Sequence, residues 1–476
     1  MAFSGSVIKL ATGTAIAQGI AVITIPIVTR FFGPDTFGVF GIFMSFSIVL
    51  GSIACFRYEL SIMLPKDDED AANLVAASIA IACITSFLIG IFLIISGDFV
   101  INSFNIQSFD NYLSLLPVMV LLIALTQVVN VWKSRENAFG TISISRVIQT
   151  ITSQSIAIFC GLIQMVAGGY LIASRIAGQL SAIAFLVAKD CTSFQALLHK
   201  VSFAKMVEGL KRYRNFPKYT AWSGLLISFS MELPIILMAM KFDAYVVGSF
   251  VLIRQVLRMP YTFVGVPASQ VLFQSTSVMC RERKEISRLV KDLYERLIII
   301  SAFPILALSI IGKDIFVLVF GREWEGAGQM AQIYCIAAFA EFNLAPFGCL
   351  FNVLEKQKKG LLFDFSLMVF RFVFLTTGII LGDAFLAVAL FTFGDILGRV
   401  IKFQWIFKNL NFYMKNMATL LLPSLRLSVI FFLMLFVQTL FQIKPVYILI
   451  TYGICGILYF SAVHLFYKPL TELVRD

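Results

Sequence analysis

Arg254 and Arg258 lie four residues apart inside the apolar string "VGSFVLIRQVLRMP", residues 247–260. That spacing stacks them on one face of a helix. Neither guanidinium can neutralise the other, so their face must meet water, carboxylates or an anionic ligand. Arg146, Arg175, Arg371, Arg399 and Arg426 also interrupt long apolar runs, and Arg30 and Arg57 close two of them. An arginine at mid-membrane costs about 2.5–3.5 kcal/mol on insertion scales, so each must snorkel, pair or line a wet chamber. Arg146, Arg371 and Arg426 stand near enough to a cytoplasmic end to snorkel. A chamber lined by cations implies an anionic cargo. By position alone, the candidate chamber cations are Arg30, Arg254 and Arg258, followed by Arg57, Arg146 and Arg175.

Acidic residues inside the runs are few: Glu232, Glu341, Asp364 and Asp395. They are the candidates for proton or sodium coupling, and each has a structural alternative. Asp395 and Arg399 are an i,i+4 pair that can neutralise itself. Asp364 and Arg371 share a face two turns apart. Glu341, between "AAFA" and "FNLAP", and Glu232, just before Pro234, could equally be hydrogen-bonded structural carboxylates.

The elements that position these residues are helices in a membrane. Of 476 residues, 59% are hydrophobic and only 14% charged, with a mean hydropathy of +0.89. A soluble chain carries roughly a quarter charged residues. Runs of about 20 apolar residues, each able to cross ~30 Å of hydrocarbon, recur throughout. Fourteen are expected, near 8–31, 36–57, 72–96, 111–131, 141–165, 167–187, 218–240, 244–275, 293–320, 328–352, 361–382, 384–407, 417–440 and 444–467. Only "QMVAGGY" divides the fifth from the sixth. With both termini cytoplasmic, inner loops and helix ends hold 26 Lys and Arg and outer ones 5. That asymmetry obeys the positive-inside rule and a single miscounted span early in the chain would destroy it. The net charge of +11 then reflects an inner surface facing anionic headgroups, and no nucleic-acid partner is needed.

Other chemistries find few residues. Only His199 and His464 occur, the eight cysteines form no CxxC pair, and no GxxxxGK[ST] phosphate loop is present. No metal, cofactor or enzymatic activity is expected. Any driving energy would come from an ion gradient, the membrane potential or consumption of product.

Two pairs of strings echo each other. "IPIVTRFFGPDTFGVF" (25–40) sets Pro26 nine residues before Asp35, and "LPIILMAMKFDAYVVGSF" (233–250) sets Pro234 nine before Asp243. "NVWKSRENAFG" (130–140) and "NVLEKQKKG" (352–360) are basic inner turns closed by glycine. The echoes suggest two parallel repeats of six spans. The expected organisation is a first bundle at 1–190, a basic cytoplasmic linker at 191–217, a second bundle at 218–410 and a C-terminal helix pair at 411–476. The expected fold is an all-α polytopic membrane protein with about 14 transmembrane helices: two six-helix bundles as parallel repeats plus two C-terminal helices. Pro26 and Pro234, at matching places, are candidate hinges.

The strings "TRFFGPDTFGVFGIF" and "FRYELSIMLPKDDEDAANL", with "NAFGTISISRVIQ", "YRNFPKY", "VFGREWEGAG" and "APFGCLFNVLEKQKKG", complete a pattern over about residues 5–410. It resembles the bacterial polysaccharide transporters, the O-antigen and exopolysaccharide repeat-unit flippases of the multidrug/oligosaccharidyl-lipid/polysaccharide exporter superfamily. The resemblance implies translocation of an undecaprenyl-diphosphate-linked oligosaccharide across the bacterial inner membrane. It also implies a setting of membrane lipids, a polysaccharide polymerase and chain-length machinery. The alternatives are a multidrug cation antiporter or lipid II-type flippase of that superfamily and, from another class, a membrane glycosyl polymerase. A polymerase would be expected to carry a large outer loop with charged catalytic residues, whereas the longest outer loop here, 97–110, has only Asp98 and Asp110.

Overall fold

The computed structural model describes residues 2–103, 112–189, 201–282 and 285–410, with 454, 456, 459 and 461 beyond them. Expected spans thirteen and fourteen, and Arg426, lie outside the described residues apart from those last four positions. The described chain is helical, without a strand. This is the all-α, multi-pass membrane architecture that the composition demands, because helices satisfy every backbone donor and acceptor within hydrocarbon.

The helices in chain order are α1 (Ala2–Phe31), α2 (Pro34–Gly51), α3 (Asp68–Ser103), α4 (Leu116–Arg135), α5 (Phe139–Leu162), α6 (Gly168–Ala188) and α7 (Phe203–Arg212). They continue as α8 (Ala221–Ala239), α9 (Ala244–Leu257), α10 (Val266–Arg281), α11 (Ser287–Phe320), α12 (Glu325–Leu344), α13 (Gln357–Ile380) and α14 (Ala384–Asn409). Among the described residues, 9 helices are long and apolar enough to cross a membrane, or up to 10 with the bent α11 counted as one span. The division between spans five and six is real. Gln164 adopts a left-handed backbone (φ 62°) that caps α5, and α6 begins four residues later. Expected span eight is not a single regular helix: a π-helical turn at Tyr261–Gly265 separates α9 from α10. Pro260 and Pro267, each lacking an N–H, flank that turn. Helices α1 and α8 run unbroken through the candidate hinges Pro26 and Pro234. A bend of 47° falls in α11, between Ile305 and Ala307, directly after Pro304.

The chain forms two compact units, Met1–Val251 and Leu252–Asp476. In the first, α1 and α5 run parallel at a constant offset. Gly13 meets Ser143 and Gly161 meets Phe31, both 130 residues on. Gly13 lets the two backbones approach at Ser143, and Gly161 makes room for the Phe31 ring. A polar chain ties α5, α6 and α4 together: Gln149 donates to Gln179, which donates to Thr126 Oγ1 at 2.7 Å.

The echoed glycines Gly38 and Gly248 occupy one contact. A Cβ on Gly38 would lie 2.0 Å from the Ala244 carbonyl oxygen, and one on Gly248 would lie 1.8 Å from that of Pro34. Each helix thus presents its glycine to the first residue of the other, as in a self-complementary interface. The second echo is also one backbone device used twice. Asn137 (φ 57°) and Glu355 (φ 55°) are left-handed caps. The next amides, Ala138 and Lys356, reach back five residues to the carbonyls of Lys133 and Phe351.

The glycine contact generates a stability test. Gly248→Ala must push carbonyl and helix apart, and should cost about 3 kcal/mol, the upper range for overpacking. Gly19→Ala, with nothing within 4 Å, should be neutral or stabilising. Thermal unfolding of the two purified variants in detergent checks the difference.

Candidate functional site

The second unit is organised around the α13–α14 hairpin. Its turn is tight: Gly382 takes φ +79°, and the Asp383 carboxylate caps α14 by accepting from the amides of Phe385 and Leu386. Gly378, Gly394 and Gly398 bring the two helices into near-backbone contact; a Cβ on Gly394 would stand 2.9 Å from the Phe370 carbonyl oxygen. An antiparallel hairpin opposes residues equidistant from its turn. Arg371 and Asp395 each lie twelve residues from Asp383, and Asp364 and Lys402 each lie nineteen. At 1.5 Å per residue, the first pair sits about 18 Å and the second about 28 Å along the hairpin from its turn.

Both oppositions are ion pairs. Arg371 Nη2 is 2.6 Å from Asp395 Oδ1 and its Nε donates to the same oxygen at 2.7 Å. Arg399 Nε donates to Asp395 Oδ2, also at 2.7 Å. All three side chains are at most 7% exposed. Asp395 is therefore committed to two guanidiniums, more than the i,i+4 pair alone provides. Asp364 pairs with Lys402 at 2.5 Å and not with Arg371. Lys402 also lies 5.4 Å from the Phe351 ring centre, in an aromatic group with Trp405.

Glu341, on α12, extends the array. Its Oε2 is 3.6 Å from Arg399 Nη2, and its Oε1 is 3.6 Å from Arg258 Nε. The result is an alternating chain: Arg258, Glu341, Arg399, Asp395, Arg371. Three cations and two anions leave it at +1. Arg258 is the open end, its side chain 41% exposed where that of Glu341 is 11% exposed. It sits just past the end of α9, before the π-helical turn, with its amide bonded to the Arg254 carbonyl and its own carbonyl to the Thr262 amide. Arg254, one turn earlier, is half-buried. Arg254 and Arg399 act electrostatically on Tyr334, and Arg258 and Arg399 on Tyr261, so both tyrosines border the array. Neither tyrosine stands out in the sequence, because nothing in an apolar run marks which aromatic will face a charge.

The remaining candidates lie in the first unit and do not form one cluster. Arg30 is exposed in the last turn of α1. Arg146 donates to Thr14 Oγ1 at 2.7 Å, tying α5 to α1. Arg175 is half-buried on α6. Glu232 accepts from the buried Ser45 hydroxyl at 2.8 Å, which joins α8 to α2. Arg57 has a left-handed backbone (φ 63°) after the end of α2, and its guanidinium lies over Gly224 of α8, where a Cβ would come within 2.5 Å. Its carboxylate neighbour is Glu59, 3.7 Å away and 2% exposed. Burial pushes the Glu59 carboxyl above the usual range, against its own amide and the Arg57 charge, which pull it down. Arg135, outside the candidate set, clamps the loop between α2 and α3 by donating to the carbonyls of Ile62 and Pro65.

A family model described as "Polysaccharide biosynthesis protein" matches residues 27–329 of this sequence. The chain belongs to that family. The match takes in both echoed turns, at Asp35 and Asp243, and the first arginines of the array. Among curated proteins, none matches the chain. Solved structures match over nearly all of it. The lipid II flippase MurJ, in an inward closed conformation, is 14% identical with a TM-score of 0.76, covering 97% of this chain and 99% of its own. An inward-facing multidrug resistance MATE family transporter of the MOP superfamily is 13% identical with a TM-score of 0.66, covering 84% and 94%. A MOP superfamily transporter from Pyrococcus furiosus, noted for reversed polarity of its binding pocket, is 14% identical with a TM-score of 0.55, covering 85% and 95%. This polysaccharide biosynthesis family protein therefore carries the fold of the MOP superfamily transporters.

The two ion pairs of the hairpin predict unequal costs. Asp395→Ala leaves two buried guanidiniums without their carboxylate and should destabilise by about 3–5 kcal/mol. Asp364→Ala, at the more exposed pair farther from the turn, should cost no more than about 1 kcal/mol. Thermal midpoints of the purified variants in one detergent measure both.

Proposed function

We propose that the protein is a flippase for an undecaprenyl-diphosphate-linked oligosaccharide: an O-antigen, capsule or exopolysaccharide repeat unit. It would carry this cargo across the bacterial inner membrane by alternating access, with both termini cytoplasmic. The observation that carries the reading is Arg258, whose side chain is 41% exposed at the open end of a net-positive array within otherwise apolar helices. Such a group suits a diphosphate, which offers several charged oxygens to a forked donor. Membership of the polysaccharide biosynthesis family supports a sugar-bearing cargo. The isoprenoid tail needs no site, because it can remain in the bilayer while the headgroup crosses.

Arg254 and Arg258 are the first phosphate contacts in this reading, joined by Arg30, Arg57, Arg146 and Arg175 where they border the chamber. Glu341, Glu232, Asp364 and Asp395 remain the carboxylates available for proton or sodium coupling. The loosely held Glu341 is better suited than Asp395, whose oxygens are already occupied. Pro26 and Pro234 act as hinges. Polysaccharide polymerase and chain-length proteins would take up the product outside. A lipid II-type cargo is the second reading, favoured by the fold likeness to MurJ and sharing the diphosphate chemistry. A cation antiporter suits a net-positive array poorly.

Deletion in the native host should accumulate lipid-linked repeat units and remove surface polysaccharide, read by lipid extraction and polysaccharide staining. Normal polysaccharide with loss of drug resistance would reverse the assignment. Arg254→Ala or Arg258→Ala should abolish export while the protein still inserts, as measured by complementation and membrane immunoblotting. Wild-type export from the double alanine variant would remove these arginines from the site.

A further inference from the structure

The two carboxylates of the array are held very differently. Asp395 receives its guanidiniums at 2.6–2.7 Å, within hydrogen-bonding range. Glu341 stands 3.6 Å from both of its cations, beyond that range. Asp395 is a fixed counter-ion: removing it would strand two buried charges. Glu341 neutralises without being tied, and Arg399 keeps its bonded partner if Glu341 moves. Arg258 depends on Glu341 alone for an opposite charge among the described residues, and it is the exposed member of the pair.

We infer that Glu341 is an exchangeable internal anion, occupying the cation that takes the cargo's phosphate and returning to it on release. The inference rests on the proposed flippase reading and adds the means of letting go. A transporter that bound a diphosphate through an uncontested guanidinium would hold it too tightly to turn over. A carboxylate beside Arg258 lowers the positive potential that an arriving anion meets and refills the position when it leaves. The surroundings allow this exchange. Arg399 and Asp395 keep the inner side of Glu341 fixed, Arg254 adds positive charge one turn away, and Tyr261 and Tyr334 border the site without supplying a competing ion. Since the potential acts on each unit of ligand charge, removing Glu341 should favour a diphosphate more than a monoanionic phospholipid.

The test is a binding and transport comparison with the full-length protein in nanodiscs. The probes are farnesyl diphosphate and short-chain phosphatidylglycerol, titrated against wild type, Glu341→Gln, Arg258→Ala and the double variant. Glu341→Gln should bind the diphosphate on the order of tenfold more tightly, equivalent to about 1.4 kcal/mol. It should bind phosphatidylglycerol only a few-fold more tightly, and export in the host should fall. The gain should vanish on Arg258→Ala. Glu341→Asp, whose shorter side chain withdraws the carboxylate from Arg258, should give a smaller gain in the same direction and serves if Glu341→Gln does not fold. Unchanged or weaker diphosphate binding by a stably folded variant overturns the exchange, as does an equal gain for phosphatidylglycerol, and either leaves the flippase reading intact. Absence of diphosphate binding to wild type overturns both.

Discussion

Hydrocarbon offers no partner to a charge, so every ion within the helices must be answered by a neighbouring helix. The Asp395 carboxylate, shared by Arg371 and Arg399, is where that constraint is met most fully. It sets the register of α13 against α14, and Gly394 and Gly398 on either side keep the helices close enough for the bonds to form. The Asp364–Lys402 pair repeats the register farther from the turn. Around this frame the aromatic side chains of Tyr294, Phe347, Phe351, Phe403 and Phe407 pack into a single cluster. Burial of such rings adds stability but little direction. The ion pairs supply the direction.

The same constraint separates a static part of the array from a working part. Two carboxylates bonded alike would make an inert salt-bridge network. Here one is bonded and one is only near. The loose one lies between the buried frame and the exposed Arg258, where α9 gives way to a π-helical turn between two prolines. π-helical turns are frequent at functional sites because they turn side chains out of the regular helical order. Cation, competitor and irregular backbone thus coincide at one place in the second unit.

The first unit depends on a different device, close approach of backbones. Gly38 and Gly248 meet each other's helix starts reciprocally, and α1 and α5 run side by side at a constant offset. Polar side chains there join helices: Gln149 to Gln179 to Thr126, and Ser45 to Glu232. The matching left-handed caps at Asn137 and Glu355 show one turn geometry built from different residues. Asparagine tolerates that conformation well; glutamate does so at a cost that the cap's hydrogen bonds offset.

Much of this could be read in advance. Hydropathy alone determined the all-helical, multi-pass class, because chain segments in hydrocarbon have no other way to satisfy their backbone. The echoed strings placed Gly38 and Gly248 at matching positions but did not say that each would meet the other's helix. The Arg371–Asp395 and Asp364–Lys402 pairs lie equidistant from the short "LGD" turn, whereas spacing within one run set Asp364 against Arg371. What only the tertiary structure decided is the meeting of Arg258 with Glu341, and the difference between a carboxylate bonded at 2.7 Å and one held at 3.6 Å. These residues are 83 positions apart on helices that no short turn connects. Helices apolar on every side carry no stripe to say which face turns inward. Their rotation is settled by packing against neighbours, and so is the identity of the charge that each buried ion finds.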